Sequence, residues 1–269
     1  MKRITALMAK DLAELRHSPG IFIPGVLTGL ATIVYPFMIA IVIPYFAGER
    51  LSDSSDFEIA AEMYRLQPSA RALSMEGAIQ AFLFQHALIF MVGLTTVTGS
   101  MSVAAHSVIG EKQARTLEPL LATPLRTSEL LAAKVVGAAV PGLLLMALCF
   151  GIYLIAVAVF AEPGVWLSLL NLRTLSLVFV TGPLAALLGL QLAVYASSRV
   201  NDPRSAQQIG AIMIVVPIAA LQIAQFVGGI VLTSSIIVAV AAALAIANAI
   251  LLRIGIAVFD REAILTRWK

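Results

Sequence analysis

The sequence predicts an all-α integral membrane protein with six transmembrane helices. Of its 269 residues 60% are hydrophobic and 12% charged, where a soluble globular domain carries roughly 25% charged residues. The apolar residues are gathered into runs of about 20 or more, and a helix satisfies its own backbone hydrogen bonds in lipid. Lys and Arg, which cytoplasmic loops retain, collect in alternate segments between those runs.

The runs cover residues 21–46, 78–106, 135–160, 175–197, 209–232 and 236–258. The loops are too short for a separate soluble domain, so residues 1–269 are expected to form one transmembrane domain. Ahead of the first run, residues 1–20 place Ile4, Leu7, Met8, Leu12 and Leu15 on one helical face, with only Asp11 intruding. This pattern predicts an amphipathic helix lying in the inner interface, ended by the turn His17-Ser18-Pro19-Gly20. It is not expected to be a secretory signal, because its charges are mixed and no small-residue cleavage site follows a short apolar core.

Pro24, Pro36, Pro44, Pro141, Pro183 and Pro217 interrupt the runs and are expected to bend the helices that carry them. Residues 48–77 form the one sizeable outer connection. They carry Glu49, Asp53, Asp56, Glu58, Glu62 and Glu76 and predict a short helix around residues 57–66, stopped by Pro68. This loop is either a solvated cap or the shaped exit of a pathway. Thr95, Thr98, Ser102 and His106 line up along the second run, and Gln222 and Gln225 lie one turn apart in the fifth. Such stripes line a translocation path or tie helices together. Cys149 stands alone within the third run, so disulfides within the chain are excluded and its expected role is apolar filling.

One set of alternate segments holds fourteen basic residues: Lys2, Arg3, Lys10, Arg16, Lys112, Arg115, Arg126, Lys134, Arg199, Arg204, Arg253, Arg261, Arg267 and Lys269. The other holds only the four Arg50, Arg65, Arg71 and Arg173. Both termini and the connection at 110–134 are therefore expected in the cytoplasm. The net charge of +3 is a topology signal and gives no reason to expect a nucleic-acid partner.

Between the second and third runs lies a polar island, residues 110–125. Read as a helix, it puts Leu117, Leu120 and Leu121 close together, beside a charged row of Glu111, Arg115 and Glu118. A short leucine face ringed by charges suits an apolar anchor whose rim sets register on another protein. Thr123-Pro124 should end that helix, because the residue before proline avoids the helical region. Thr127 can cap the next, with Glu129 in its first turn.

Catalytic patterns are mostly missing. The chain has no Gly-x-x-x-x-Gly-Lys-Ser/Thr phosphate loop, no His-Glu-x-x-His zinc motif and no Gly-x-Ser-x-Gly elbow. Phe82-x-x-x-His86 and Glu111-x-x-x-Arg115 resemble fragments of intramembrane metalloproteases of the prenyl-protein-processing type. They occur in the wrong order, Gly110 replaces a second Glu, and the topology puts His86 in the outer half of its span with Glu111 in the cytoplasm.

Residues 111–124 read Glu111, Lys112, Gln113, Ala114, Arg115, Thr116, Leu117, Glu118, Pro119, Leu120, Leu121, Ala122, Thr123, Pro124. This stretch resembles the Glu-Lys-Glu-x-Gly-Thr-Leu-Glu-x-Leu-Leu-x-x-Pro segment of membrane subunits of ATP-binding-cassette exporters, in the type 2 permease family. Gln113 replaces an acid and Arg115 a glycine. The resemblance extends to the amphipathic start, the six spans, the outer loop after the first, and residues 198–206 opening the fifth. It implies a permease that exports a substrate, with residues 111–124 as a coupling helix docked on a separate ATPase subunit. Glu111, Arg115, Thr116, Leu117, Glu118, Leu120 and Leu121 would make that contact. It also implies a second permease copy, identical or related, with ATP and magnesium held by the partner and no cofactor in this chain. The expected location is the cell membrane of a prokaryote, with both termini inside. An ATP-independent channel or anchor protein is the competing class, and such a protein has no need of a protein-gripping helix.

Overall fold

The computed structural model describes residues 23–53, 57–103, 127–199, 205, 208, 212, 215–223 and 233–258. The expected interfacial helix at 1–20 and coupling helix at 111–124 lie outside these residues. No strand occurs among the described residues, and five helices are long and apolar enough to cross a membrane: Ile23–Ala47, Met75–Val103, Gly137–Phe160, Leu172–Ala193 and Ser234–Ile254. Of the run at 209–232, residues 212 and 215–223 are described, all helical.

In chain order, α1 is Ile23–Ala47 and α2 is the short helix Glu58–Arg65. Helix α3 is Met75–Val103, and α4 is Thr127–Phe160. Helix α5 is Val165–Leu169; α6 begins with Leu172–Ser176 and ends with Gly182–Arg199; α7 is Ser234–Val258.

Helix α3 is the centre of the bundle. Every residue from Gly77 to Ile89 is buried, although by mean hydropathy α3 is the least apolar of the five spanning helices. Lipid-facing positions must be apolar, whereas a central helix can carry the polar groups that bond to its neighbours. Helix α7 has the converse pattern, highly apolar and largely exposed to the surroundings.

Small residues set the closest crossings. The buried face of α1 is Gly25, Gly29, Thr32, Ile33 and Pro36, while Leu27, Leu30, Val34 and Tyr35 face outward. A Cβ on Gly25 would lie 2.9 Å from the Gly99 Cα of α3, and one on Gly29 would lie 2.8 Å from the Cys149 Sγ of α4. Helix α1 therefore sits in a crevice between α3 and α4 that larger side chains would prop open. Cys149 is buried there, as expected for an apolar filler.

The expected effect of proline takes a specific form. Helix α1 contains a π-helical turn at Met38–Val42 and α6 one at Leu177–Thr181. In the first, the Ile43 N–H reaches back to the Met38 carbonyl; in the second, the Gly182 N–H reaches Leu177. The next residue in each case is a proline, Pro44 or Pro183. Its ring crowds the carbonyl four residues back, and the widened turn relieves that clash. Pro36 and Pro141 lie inside helices that continue through them. A third π turn, Met91–Thr95 in α3, has no proline. There the Thr96 hydroxyl donates to the Val92 carbonyl, taking the acceptor its own N–H would use in an α-helix.

Candidate functional site

The polar line of the second span lies on α3, and its described members are held against the chain's own helices. Thr95 is buried, with its hydroxyl 3.3 Å from that of Thr32 on α1. Thr98 is half-buried and donates to the Leu94 carbonyl at 2.6 Å. Ser102 is buried near the C-terminal end of α3. Gln222, in the helical stretch 215–223, is buried and its amide donates to the His86 carbonyl at 2.9 Å. His86 is itself bonded through Nδ1 to the Phe82 carbonyl at 2.8 Å. Because that carbonyl can only accept, the ring proton sits on Nδ1. His106, Gln225 and the whole docking set, Glu111, Arg115, Thr116, Leu117, Glu118, Leu120 and Leu121, lie outside the described residues.

Sequence reasoning did not single out a polar cluster around the N-terminal half of α3. Ser74 caps α3 by accepting from the Gly77 N–H at 2.9 Å, and its hydroxyl donates to Glu162. The Glu162 N–H in turn donates to Gln80 at 2.9 Å. The Gln85 side-chain oxygen accepts from Tyr64 at 3.5 Å and from Thr174 at 3.1 Å. Tyr64 of α2 is fully buried, and burial pushes its hydroxyl up to about 12, with Ser168 and Arg173 opposing the shift. Helix α2 is thus pinned to α3 by Ala61 and Tyr64 while Ile59 and Leu66 remain exposed. A second missed set joins α6 to α7: Gln191 donates to Asn248 at 2.7 Å, and Asn248 donates to the Leu184 and Leu244 carbonyls at 2.9 and 2.8 Å. The available signal was simply an amide inside an apolar run, which must find a partner in lipid.

A cavity of about 340 Å³ opens between α3, α6, α7 and the 215–223 helix. Two of the three π turns contribute to its wall, through Val92 and Gly93 of one and Leu177 and Thr181 of the other. Its lining is apolar except for Thr181. The path line of α3 takes no part in it.

The two helices that flank the polar island in sequence, α3 and α4, cross closely. Helix α4 has 34 residues, a length of ~51 Å at 1.5 Å per residue. The apolar run that α4 carries begins at Val135, so residues 127–134, with Glu129 and Lys134 among them, extend α4 ahead of that run on the island's side of the sequence. Gly142 of α4 crosses Ser100 of α3 so closely that a Cβ on Gly142 would sit 2.9 Å from the Ser100 backbone nitrogen.

A family model described as ABC-2 family transporter protein matches residues 64–259. The chain belongs to that family. An ABC-2 transporter chain of this kind is a multi-pass membrane protein and the permease subunit of an ATP-binding-cassette transporter. The family implies an ATP-binding-cassette partner and usually a dimeric arrangement. The match takes in α3 to α7 and the polar island, with α1 outside it. No curated protein and no solved structure matches this ABC-2 transporter.

Proposed function

We propose that this ABC-2 permease exports a substrate, driven by a separate ATPase subunit that docks on a coupling helix at residues 111–124. The observation carrying this reading is the Thr116-Leu117-Glu118 core with Leu120 and Leu121, set in sequence between the ends of α3 and α4. Leu117, Leu120 and Leu121 form the apolar anchor, and Glu111, Arg115, Thr116 and Glu118 form the polar rim. The inner extension of α4 and its close crossing with α3 support a lever: a push on the island reaches the membrane through two helices that cannot slide freely past each other. ATP and magnesium belong to the partner. The permease works as a pair, with both termini on the ATPase side of the cell membrane of a prokaryote.

The cargo route is proposed to follow the polar line of Thr95, Thr98, Ser102 and His106, with Gln222 and Gln225 contributing from the fifth span. Thr95 and Ser102 are buried within one protomer, so this route requires α1 to part from α3 during the cycle.

Replacing Leu120 and Leu121 by Ala removes apolar area worth about 1.5–3 kcal/mol per fully buried side chain. The variant should insert normally, lose co-purification with the ATPase and fail in transport. If it retains both, the docking assignment is wrong.

A further inference from the structure

We propose that the cavity between α3, α6, α7 and the 215–223 helix is a binding site, within a single protomer, for a small aliphatic molecule bearing one hydroxyl oxygen. It is distinct from the polar line of α3 and does not depend on the docking of an ATPase. The volume of about 340 Å³ lies at the lower end of ligand pockets, roughly 300–1,000 Å³. It is more than twice the ~150 Å³ of a dry apolar cavity that takes up benzene. By that scaling it holds a molecule of up to about thirteen carbon atoms.

The chemistry of the occupant follows from one side chain. Thr181 lines the cavity and is 7% exposed, and its hydroxyl has no hydrogen-bond partner among the described residues. Thr181 closes the π turn Leu177–Thr181, two residues ahead of Pro183. A buried hydroxyl without a partner is unfavourable. Water is a poor answer, because an ordered water needs two to four polar partners and the other side chains of this wall are apolar. A bare hydrocarbon chain fills the volume and leaves the hydroxyl unsatisfied. An aliphatic alcohol does both jobs, its chain lying along Val92, Leu177, Ile218 and Val240 and its oxygen meeting Thr181. Entry is from the lipid side, where Pro217 borders the cavity and its neighbour Val216 is exposed, as is Val238 on α7.

The test uses the full chain in phosphatidylcholine vesicles and an octanol carrying a photoactivated diazirine, with adducts mapped by mass spectrometry. Adducts are expected on Ile218, Leu221 or Val240, and 1-octanol should compete about fivefold better than n-octane, the worth of one net hydrogen bond. Thr181→Val keeps the shape and should erase that preference while leaving competition by octane intact. Ala185→Phe places a ring in the cavity and should remove these adducts while lipid-facing Val238 still labels. Equal competition by the two molecules in the parent overturns the proposal, as does a preference that survives in Thr181→Val. So does labelling confined to Val238 and its exposed neighbours, which would mean partition into the boundary lipid alone. Should Ala185→Phe fail to fold, the near-isosteric Thr181→Val comparison decides the matter by itself.

Discussion

Two glycines of α4 provide a matched pair of perturbations. A Cβ on Gly142 would lie 2.9 Å from the Ser100 backbone nitrogen, 3.1 Å from the Ser100 Cβ and closer still to its hydroxyl oxygen, whereas one on Gly151 meets nothing within 4 Å. Gly→Ala gains about 0.5–1 kcal/mol of helix propensity at either site, so that contribution cancels in the comparison. What remains is the crowding at Gly142. Because the nearest groups belong to the α3 backbone and a short side chain, no rotamer change can relieve it, and overpacking of this kind costs about 1–3 kcal/mol. Gly142→Ala should therefore unfold a few degrees below Gly151→Ala, measured on both purified variants in one detergent. If the crossing transmits motion from the polar island, Gly142→Ala should also transport less while still binding its ATPase, and Gly151→Ala should match the parent. Equal stability of the two variants, or a higher midpoint for Gly142→Ala, would refute the close-crossing account.

Thr32→Cys with Thr95→Cys, on a Cys149→Ala background, places two thiols where the hydroxyls lie 3.3 Å apart, within reach of a disulfide. The oxidised protein should bind its ATPase yet cease transport, with reduction restoring it; full transport in the locked form would show that α1 need not leave α3. Tyr64 offers a pH test. Its folded value of about 12 exceeds the ordinary 10.0, so ionisation incurs no penalty below pH 10 and destabilises the fold progressively between pH 10 and 12, by about 2–3 kcal/mol in all. Tyr64→Phe should flatten that part of the alkaline stability profile, and an unchanged profile would mean that Tyr64 ionises without disturbing the cap. For topology, single cysteines in intact cells lacking Cys149 should be protected from an impermeant reagent at Lys112→Cys and labelled at Glu58→Cys; the reverse pattern would invert the orientation.

The sequence by itself determined the class of the protein. Lipid leaves the backbone no partners outside its own helix, so runs of apolar residues at 60% overall hydrophobicity admit few other architectures. The island at 111–124 pointed to the family because its charges and paired leucines stand out against so apolar a background. The short helix after the first span was equally visible, bounded by its acidic residues and Pro68 and observed as Glu58–Arg65.

Which helix lies at the centre was decided only by tertiary structure. Hydropathy measures affinity for lipid, and the central α3 does not face lipid, so its Gln80, Gln85, His86 and Thr95 mark burial while weakening its signal as a span. The same limit applied to the polar residues. Thr95 and Gln222 look alike in sequence whether they face a path or a neighbouring helix, and the packing of α1 and the 215–223 helix is what gives them Thr32 and the His86 carbonyl as partners. Proline spacing foretold distortion without its form, because the π turns before Pro44 and Pro183 depend on a carbonyl finding a donor one residue farther on. Thr181 was indistinguishable from any other threonine in an apolar run. Only the assembly of four helices around it leaves its hydroxyl at the wall of a cavity, because a void is a property of how side chains from distant segments fail to meet.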